Sequence, residues 1–128
     1  MHSEKDVLVV EDDKDIRDTV VEILVDEGYA VHGFANGAEA LAYLRSGGKA
    51  SIILLDVMMP VMDGPEFRNE LAKDAALDSI PVILLTADGN ARHRALSMKV
   101  ADGLTKPVRL DELLAAVQRH CGAGASRS

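Results

Sequence analysis

Short apolar runs alternate along the chain with segments of helical periodicity. Val7–Val10 reads as a first strand. Lys14–Glu27 reads as a helix, with Ile16, Val20, Ile23 and Leu24 on one face and Gly28 as its stop. Ala30–Phe34 is a second strand, Asn36-Gly37 a turn, and Ala38–Arg45 a short helix ending at Gly47-Gly48. Ile52–Asp56 is a third strand. Asp63-Gly64-Pro65 closes a loop and opens a helix near Glu66–Lys73, with Pro65 where a helix start tolerates it. Pro81 leads into a fourth strand, Val82–Thr86. Ala91–Met98 is a weaker helical pattern, and a short fifth strand lies around Gly103–Thr105. Leu110–Cys121 is the last helix, with Leu110, Leu113, Leu114, Val117 and Cys121 on one face.

Strands alternating with helices predict an α/β fold: a doubly wound, five-stranded parallel sheet with helices on both faces. The third and fourth strands are almost wholly apolar, as doubly covered strands should be. Crossovers are expected to be right-handed. Ligands in such sheets bind beyond the carboxyl ends of the strands, where the strand order reverses. The pattern predicts one domain over residues 1–121 and a flexible tail over 122–128.

Composition narrows the function. Hydrophobic residues make up 48% of the 128, while aromatic residues make up 3%, so the core must be aliphatic. A formal net charge of -7 argues against a nucleic-acid surface, which needs clustered Lys and Arg. The single cysteine, Cys121, allows no internal disulfide and suits the cytoplasm. The polar start is no signal peptide, and no apolar run nears the roughly 20 residues that span a membrane. His2, His32, His93 and His120 show no ligand spacing, so they read as surface or packing residues.

The chemistry lies at the ends of the apolar runs. Asp56 closes Ile52–Leu55, and an unused carboxylate there would cost desolvation. Glu11-Asp12-Asp13 closes the first run, Thr86 the fourth, and Lys106 follows the fifth. In a parallel sheet these ends lie side by side. Taken singly, each has a bland reading: Asp13 or Asp15 as helix cap, Asp56 in a turn, Lys106 solvated. Their coincidence in one order favours a site.

Val9-Val10-Glu11-Asp12-Asp13, Leu54-Leu55-Asp56-Val57-Met58-Met59-Pro60 with Asp63-Gly64, Leu84-Leu85-Thr86-Ala87 and Leu104-Thr105-Lys106-Pro107 together resemble the receiver domain of two-component response regulators. The resemblance runs from Val7 to about Cys121 and implies a flavodoxin-like (βα)5 fold. It implies Asp56 as phosphoacceptor, and Mg²⁺ held by Glu11, Asp12, Asp56 and the backbone carbonyl of Met58. Lys106 would pair with Asp56 and then with the phosphoryl group, and Thr86 would hydrogen-bond another phosphoryl oxygen. A cis Lys106-Pro107 peptide is implied as well. The partners implied are a histidine kinase or phosphotransfer protein and a downstream protein effector, with output through protein contacts. Asp88 and Met58, each two residues beyond a site residue, are placed to affect hydrolysis of the acyl phosphate.

The chain departs from the family where Tyr or Phe usually stands three residues before the lysine, since Gly103 is there. No ring can transmit the signal, and movement of the Thr86–Arg92 loop is expected to do so. The Thr86-to-Lys106 segment is also slightly shorter than usual, and Val108 replaces a common Phe. A haloacid-dehalogenase-type phosphotransferase would want a second Asp at Met58. A nucleotide-binding module would want a glycine-rich first turn, and a flavin binder more aromatics. A pseudo-receiver, a phosphate-independent interaction module, draws weight from Gly103 but not from the intact Asp12, Asp56, Thr86 and Lys106. The expectation is a phosphoacceptor with self-catalysed phosphotransfer and autodephosphorylation, not an enzyme acting on other substrates.

Overall fold

The computed structural model describes residues 5–57, 61–87 and 89–120. One parallel sheet carries the fold. Its strands are β1 (Asp6–Val10), β2 (Ala30–Phe34), β3 (Ile52–Asp56), β4 (Val82–Thr86) and β5 (Asp102–Thr105). Their spatial order is β2-β1-β3-β4-β5, so the order reverses between β1 and β3. The helices are α1 (Lys14–Asp26), α2 (Gly37–Arg45), α3 (Gly64–Ala72), α4 (Ala75–Asp78), α5 (Ala91–Met98) and α6 (Leu110–His120).

Every residue of β3 and β4 is buried, which is why both read as apolar runs up to their last residues, Asp56 and Thr86. Alternate residues serve opposite faces. Leu8, Val10, Ile53, Leu55 and Leu84 pack with Leu41, Leu44, Phe67 and Leu71 of α2 and α3. Val7, Val9, Ile52, Leu54, Ile83 and Leu85 pack with Leu24, Leu113 and Val117 of α1 and α6. The doubly wound reading therefore holds.

Local chemistry corrects the element boundaries. Asn36-Gly37 is a helix start, not a turn: the Asn36 side chain accepts from Glu39 N, and Gly37 is the first residue of α2. Gly37 is buried where an added Cβ would stand 3.0 Å from Phe67 Cδ1. Helix α3 begins at Gly64, two residues before the predicted start, because Asp63 and Glu66 form a reciprocal capping box. The one-turn α4 was not legible as a period; Asp74 caps it by accepting from Ala76 N. On α1 and α6 the predicted apolar faces are buried only in part. Ile16 is 38% and Leu110 53% exposed, because both line an open apolar groove of about 580 Å³ between the two helices.

Helix α5 ends unusually. Lys99 adopts a left-handed conformation, φ 59°, at the cap position where glycine is favoured. That conformation costs a side-chain-bearing residue about 1–2 kcal/mol. Glycine's extra chain entropy takes back about 0.5–1 kcal/mol of any gain. Lys99→Gly is therefore expected to stabilise the fold by about 0.5–1 kcal/mol. A rise in the urea unfolding midpoint at constant slope is the measurement that checks it.

Candidate functional site

The ends of β1, β3, β4 and the turn after β5 meet at one rim of the sheet. Asp56 is the last residue of β3 and is 5% exposed. Glu11 follows β1 and is 1% exposed. Thr86 ends β4 and is buried. Its backbone carbonyl accepts from Lys106 N at 2.7 Å, which fixes the turn after β5 against β4. The Lys106-Pro107 peptide is cis. Asp12 is exposed, between the strand end and α1.

Lys106 reaches into the acids. Its Nζ lies 2.8 Å from Glu11 Oε1 and 3.3 Å from Asp56 Oδ1. The resemblance implies a pairing of Lys106 with Asp56; the structure makes Glu11 the nearer partner and Asp56 the second. Burial acts most strongly on this ammonium and disfavours its charge, but the Glu11 hydrogen bond and the charges of Asp56 and Glu11 together raise its pKa above the ordinary lysine value. Lys106 is thus held charged beside Asp56.

The other Glu11 oxygen, Oε2, accepts from Asp13 N at 3.2 Å. Asp13 caps α1 by accepting from Ile16 N at 3.1 Å, so of the two capping candidates Asp13 has the task. Arg17 joins the site through a contact that its place in the sequence barely marks. Its Nη1 donates to the Glu11 carbonyl at 2.7 Å. The only signal for it is its place one turn into a helix that opens with an acidic cluster.

One carboxylate oxygen from each of Glu11, Asp12 and Asp56 lies within 4.8 Å of the others. Three carboxylates cluster here, two of them in contact with the Lys106 ammonium, and the donor set is all oxygen. This fits a hard divalent cation such as Mg²⁺, which takes oxygen ligands and keeps several waters. The exposed side of Asp12 leaves room for those waters. Met58, expected to add a backbone carbonyl, lies outside the described residues, as do Asp88, Cys121 and the tail 122–128.

Gly103 has a packing reason. A Cβ there would stand 2.3 Å from the Ala91 carbonyl oxygen and 2.8 Å from its carbon, with Ala95 Cβ at 3.3 Å. The first turn of α5 thus lies directly on β5, in space that any side chain at 103 would need. Among the histidines, His32 packs on the Tyr43 ring and meets Asp6, and His120 meets Asp102, so both are packing residues.

The response regulator receiver domain family matches residues 7–118. A relative, the uncharacterized 14.6 kDa protein in the sodA1 3' region of Leptolyngbya boryana, is 36% identical over 121 residues, covering 93% of this chain and 92% of that protein. Other relatives, named as regulatory or response-regulator proteins, are longer, and the chain spans about half of their length. The chemotaxis protein CheY4 of Vibrio cholerae superposes with a TM-score of 0.84 at 32% identity, over 92% of this chain and 99% of that one. The receiver domain of the sensor histidine kinase PA1611 of Pseudomonas aeruginosa, described with a magnesium ion in its active site cleft, gives 0.79 at 31% identity, over 94% and 99%. Among the described residues, no helix is long and apolar enough to cross a membrane.

Proposed function

The chain belongs to the response regulator receiver domain family of two-component signalling, and from that premise we propose that it is a phosphorylation-controlled switch with Asp56 as phosphoacceptor. One observation carries the reading: Lys106 Nζ stands between Glu11 and Asp56, 2.8 and 3.3 Å away, at the rim where the strand order reverses. An Asp56 carboxylate oxygen attacks the phosphorus of a phosphohistidine. The P–N bond breaks, the imidazole leaves with its electron pair, and an acyl phosphate forms.

Glu11, Asp12 and Asp56 would hold Mg²⁺, with Met58 supplying a backbone carbonyl. The ion's contribution is to neutralise charge on the transferring phosphoryl group. Lys106 holds the Asp56 carboxylate before transfer and takes a phosphoryl oxygen after it. The Thr86 hydroxyl donates to another. The chain accepts and loses this phosphoryl group itself and is no enzyme toward other substrates.

The donor in this reading is a cytoplasmic histidine kinase or phosphotransfer protein, and the output goes to a downstream protein, with neither nucleic acid nor membrane contacted directly. The apolar groove lined by Ile16, Val20, Leu110 and Leu113 opens beside Lys106 and offers the donor a surface next to the site. Output runs through α5. Four residues, 87–90, join Thr86 to Ala91, whose backbone rests on Gly103. Drawing Thr86 inward therefore shifts α5 without a ring. This weighs against a pseudo-receiver, because the close packing of α5 on Gly103 accounts for the missing ring without a decayed site.

Incubation with acetyl phosphate and Mg²⁺ tests the reading by intact mass. A gain of one phosphoryl group, prevented by EDTA, is expected. A folded chain that binds Mg²⁺ but gains nothing from either acetyl phosphate or a phosphorylated kinase would sink it.

A further inference from the structure

We infer that Arg17 is a positioning residue: it fixes the acidic turn after β1 and thereby sets how tightly Glu11 and Asp12 hold a divalent cation. The inference rests on the reading of the site as a cation-assisted phosphoacceptor.

Glu11 lies where the β1 ladder runs out. Its N–H still donates to the Phe34 carbonyl at 3.0 Å. Nearby N–H groups are committed elsewhere: Ala35 N to Glu39 Oε1 at 3.2 Å, and Val57 N to the Leu85 carbonyl at 3.2 Å. The Glu11 carbonyl takes its donor from Arg17 Nη1 at 2.7 Å, six residues along the chain. A half-buried, charge-assisted bond of this length is among the stronger kinds. Glu11 is then tied at its N–H, its carbonyl and both carboxylate oxygens. Asp13 is tied as the α1 cap, so Asp12 is carried between two anchored residues.

Arg17 is itself held. Its N–H donates to the Asp13 carbonyl at 2.9 Å. Its stem lies over Gly33 of β2, where an added Cβ would stand 3.4 Å from both Arg17 Cγ and Cδ. An alanine there would only touch the stem and Val21 Cγ2, also at 3.4 Å, whereas a branched residue would fill the path of the stem.

The sign of the effect separates positioning from plain charge. A cation near a cation site opposes binding, so removing it for electrostatic reasons alone tightens Mg²⁺ binding. Removing a group that orients the ligands weakens binding, by about 10-fold at the low end of such effects.

The test measures Mg²⁺ affinity by calorimetry in the parent chain, Arg17→Met, Arg17→Lys and Gly33→Val, with amide exchange at Asp12 and Asp13 in metal-free buffer. Arg17→Met is expected to lose about 10-fold in affinity and to exchange faster at both amides, with partial rescue by Arg17→Lys. Gly33→Val keeps the arginine and suits a strand better, yet is expected to lose affinity in the same direction. Unchanged or tighter binding in Arg17→Met and Gly33→Val, with unchanged exchange, overturns the inference and leaves the functional reading intact. A parent chain that binds no Mg²⁺ and accepts no phosphoryl group overturns the functional reading; the metal-free exchange then decides alone whether Arg17 holds the turn.

Discussion

Asp56→Asn is expected to take up no phosphoryl group from acetyl phosphate and to unfold at a higher temperature than the parent chain in metal-free buffer. The first effect is the loss of a nucleophile, because an amide oxygen does not form the acyl phosphate. The second follows from crowding. Asp56 is buried within 4.8 Å of carboxylate oxygens of Glu11 and Asp12, and Lys106 is nearer to Glu11 than to Asp56. The asparagine removes one like charge and its desolvation while leaving the Glu11–Lys106 pair in place. A gain on the order of 1 kcal/mol corresponds to a rise of about 4 °C in a domain of this size. Mg²⁺ should reverse the ranking. At about 100 times its dissociation constant a ligand adds about 2.7 kcal/mol to the chain that binds it, and the asparagine variant binds less. Scanning calorimetry with EDTA and with Mg²⁺, beside intact mass, reads both effects. A phosphoryl gain in the variant would remove Asp56 as the acceptor. A lower metal-free melting temperature would instead refute the crowding argument.

The sequence made the sheet and the candidate acids legible because both follow from short-range rules. Residues 52–55 and 82–85 are apolar at every position, which only doubly covered strands require. Asp56 and Glu11 were visible as charges in places where charge is costly. What escaped reading depends on contacts between distant segments or on single turns. Helix α4 is one turn long and has no period to detect. The left-handed Lys99 carries the wrong residue for its conformation, so no sequence rule marks it. Arg17 reads as any helical arginine until its Nη1 is found on the Glu11 carbonyl. Lys106 follows the fifth apolar run in the sequence, but its closer approach to Glu11 than to Asp56 is set by side-chain geometry. Gly103 was legible as a departure, while its cause was not, since only the packing of α5 shows what occupies the space.

Gly103→Ala is expected to destabilise the protein and loosen α5, although alanine ordinarily improves a strand glycine by about 0.5–1 kcal/mol. The methyl group has no room: the Ala91 carbonyl oxygen would be 2.3 Å away and its carbon 2.8 Å. The obstacle is backbone, not the end of a flexible side chain, so α5 must shift as a unit. Overpacking of this kind costs about 1–3 kcal/mol, which predicts a melting temperature several degrees lower. Faster amide exchange is expected in α5, with β1 and β3 unaffected. Asp56, Glu11 and Lys106 do not depend on the α5 seat for their contacts, so phosphorylation by acetyl phosphate should proceed near the parental rate. This separation matters for the switch. If a shift of α5 is how phosphorylation reaches the surface, the alanine holds α5 partly displaced before any phosphoryl group arrives. Phosphorylation should then add less to α5 exchange in the variant than in the parent chain. A variant of parental stability and parental α5 protection would show that α5 does not rest on Gly103 as described. Loss of α5 protection with a full further response to phosphorylation would keep the packing argument and remove α5 from the output.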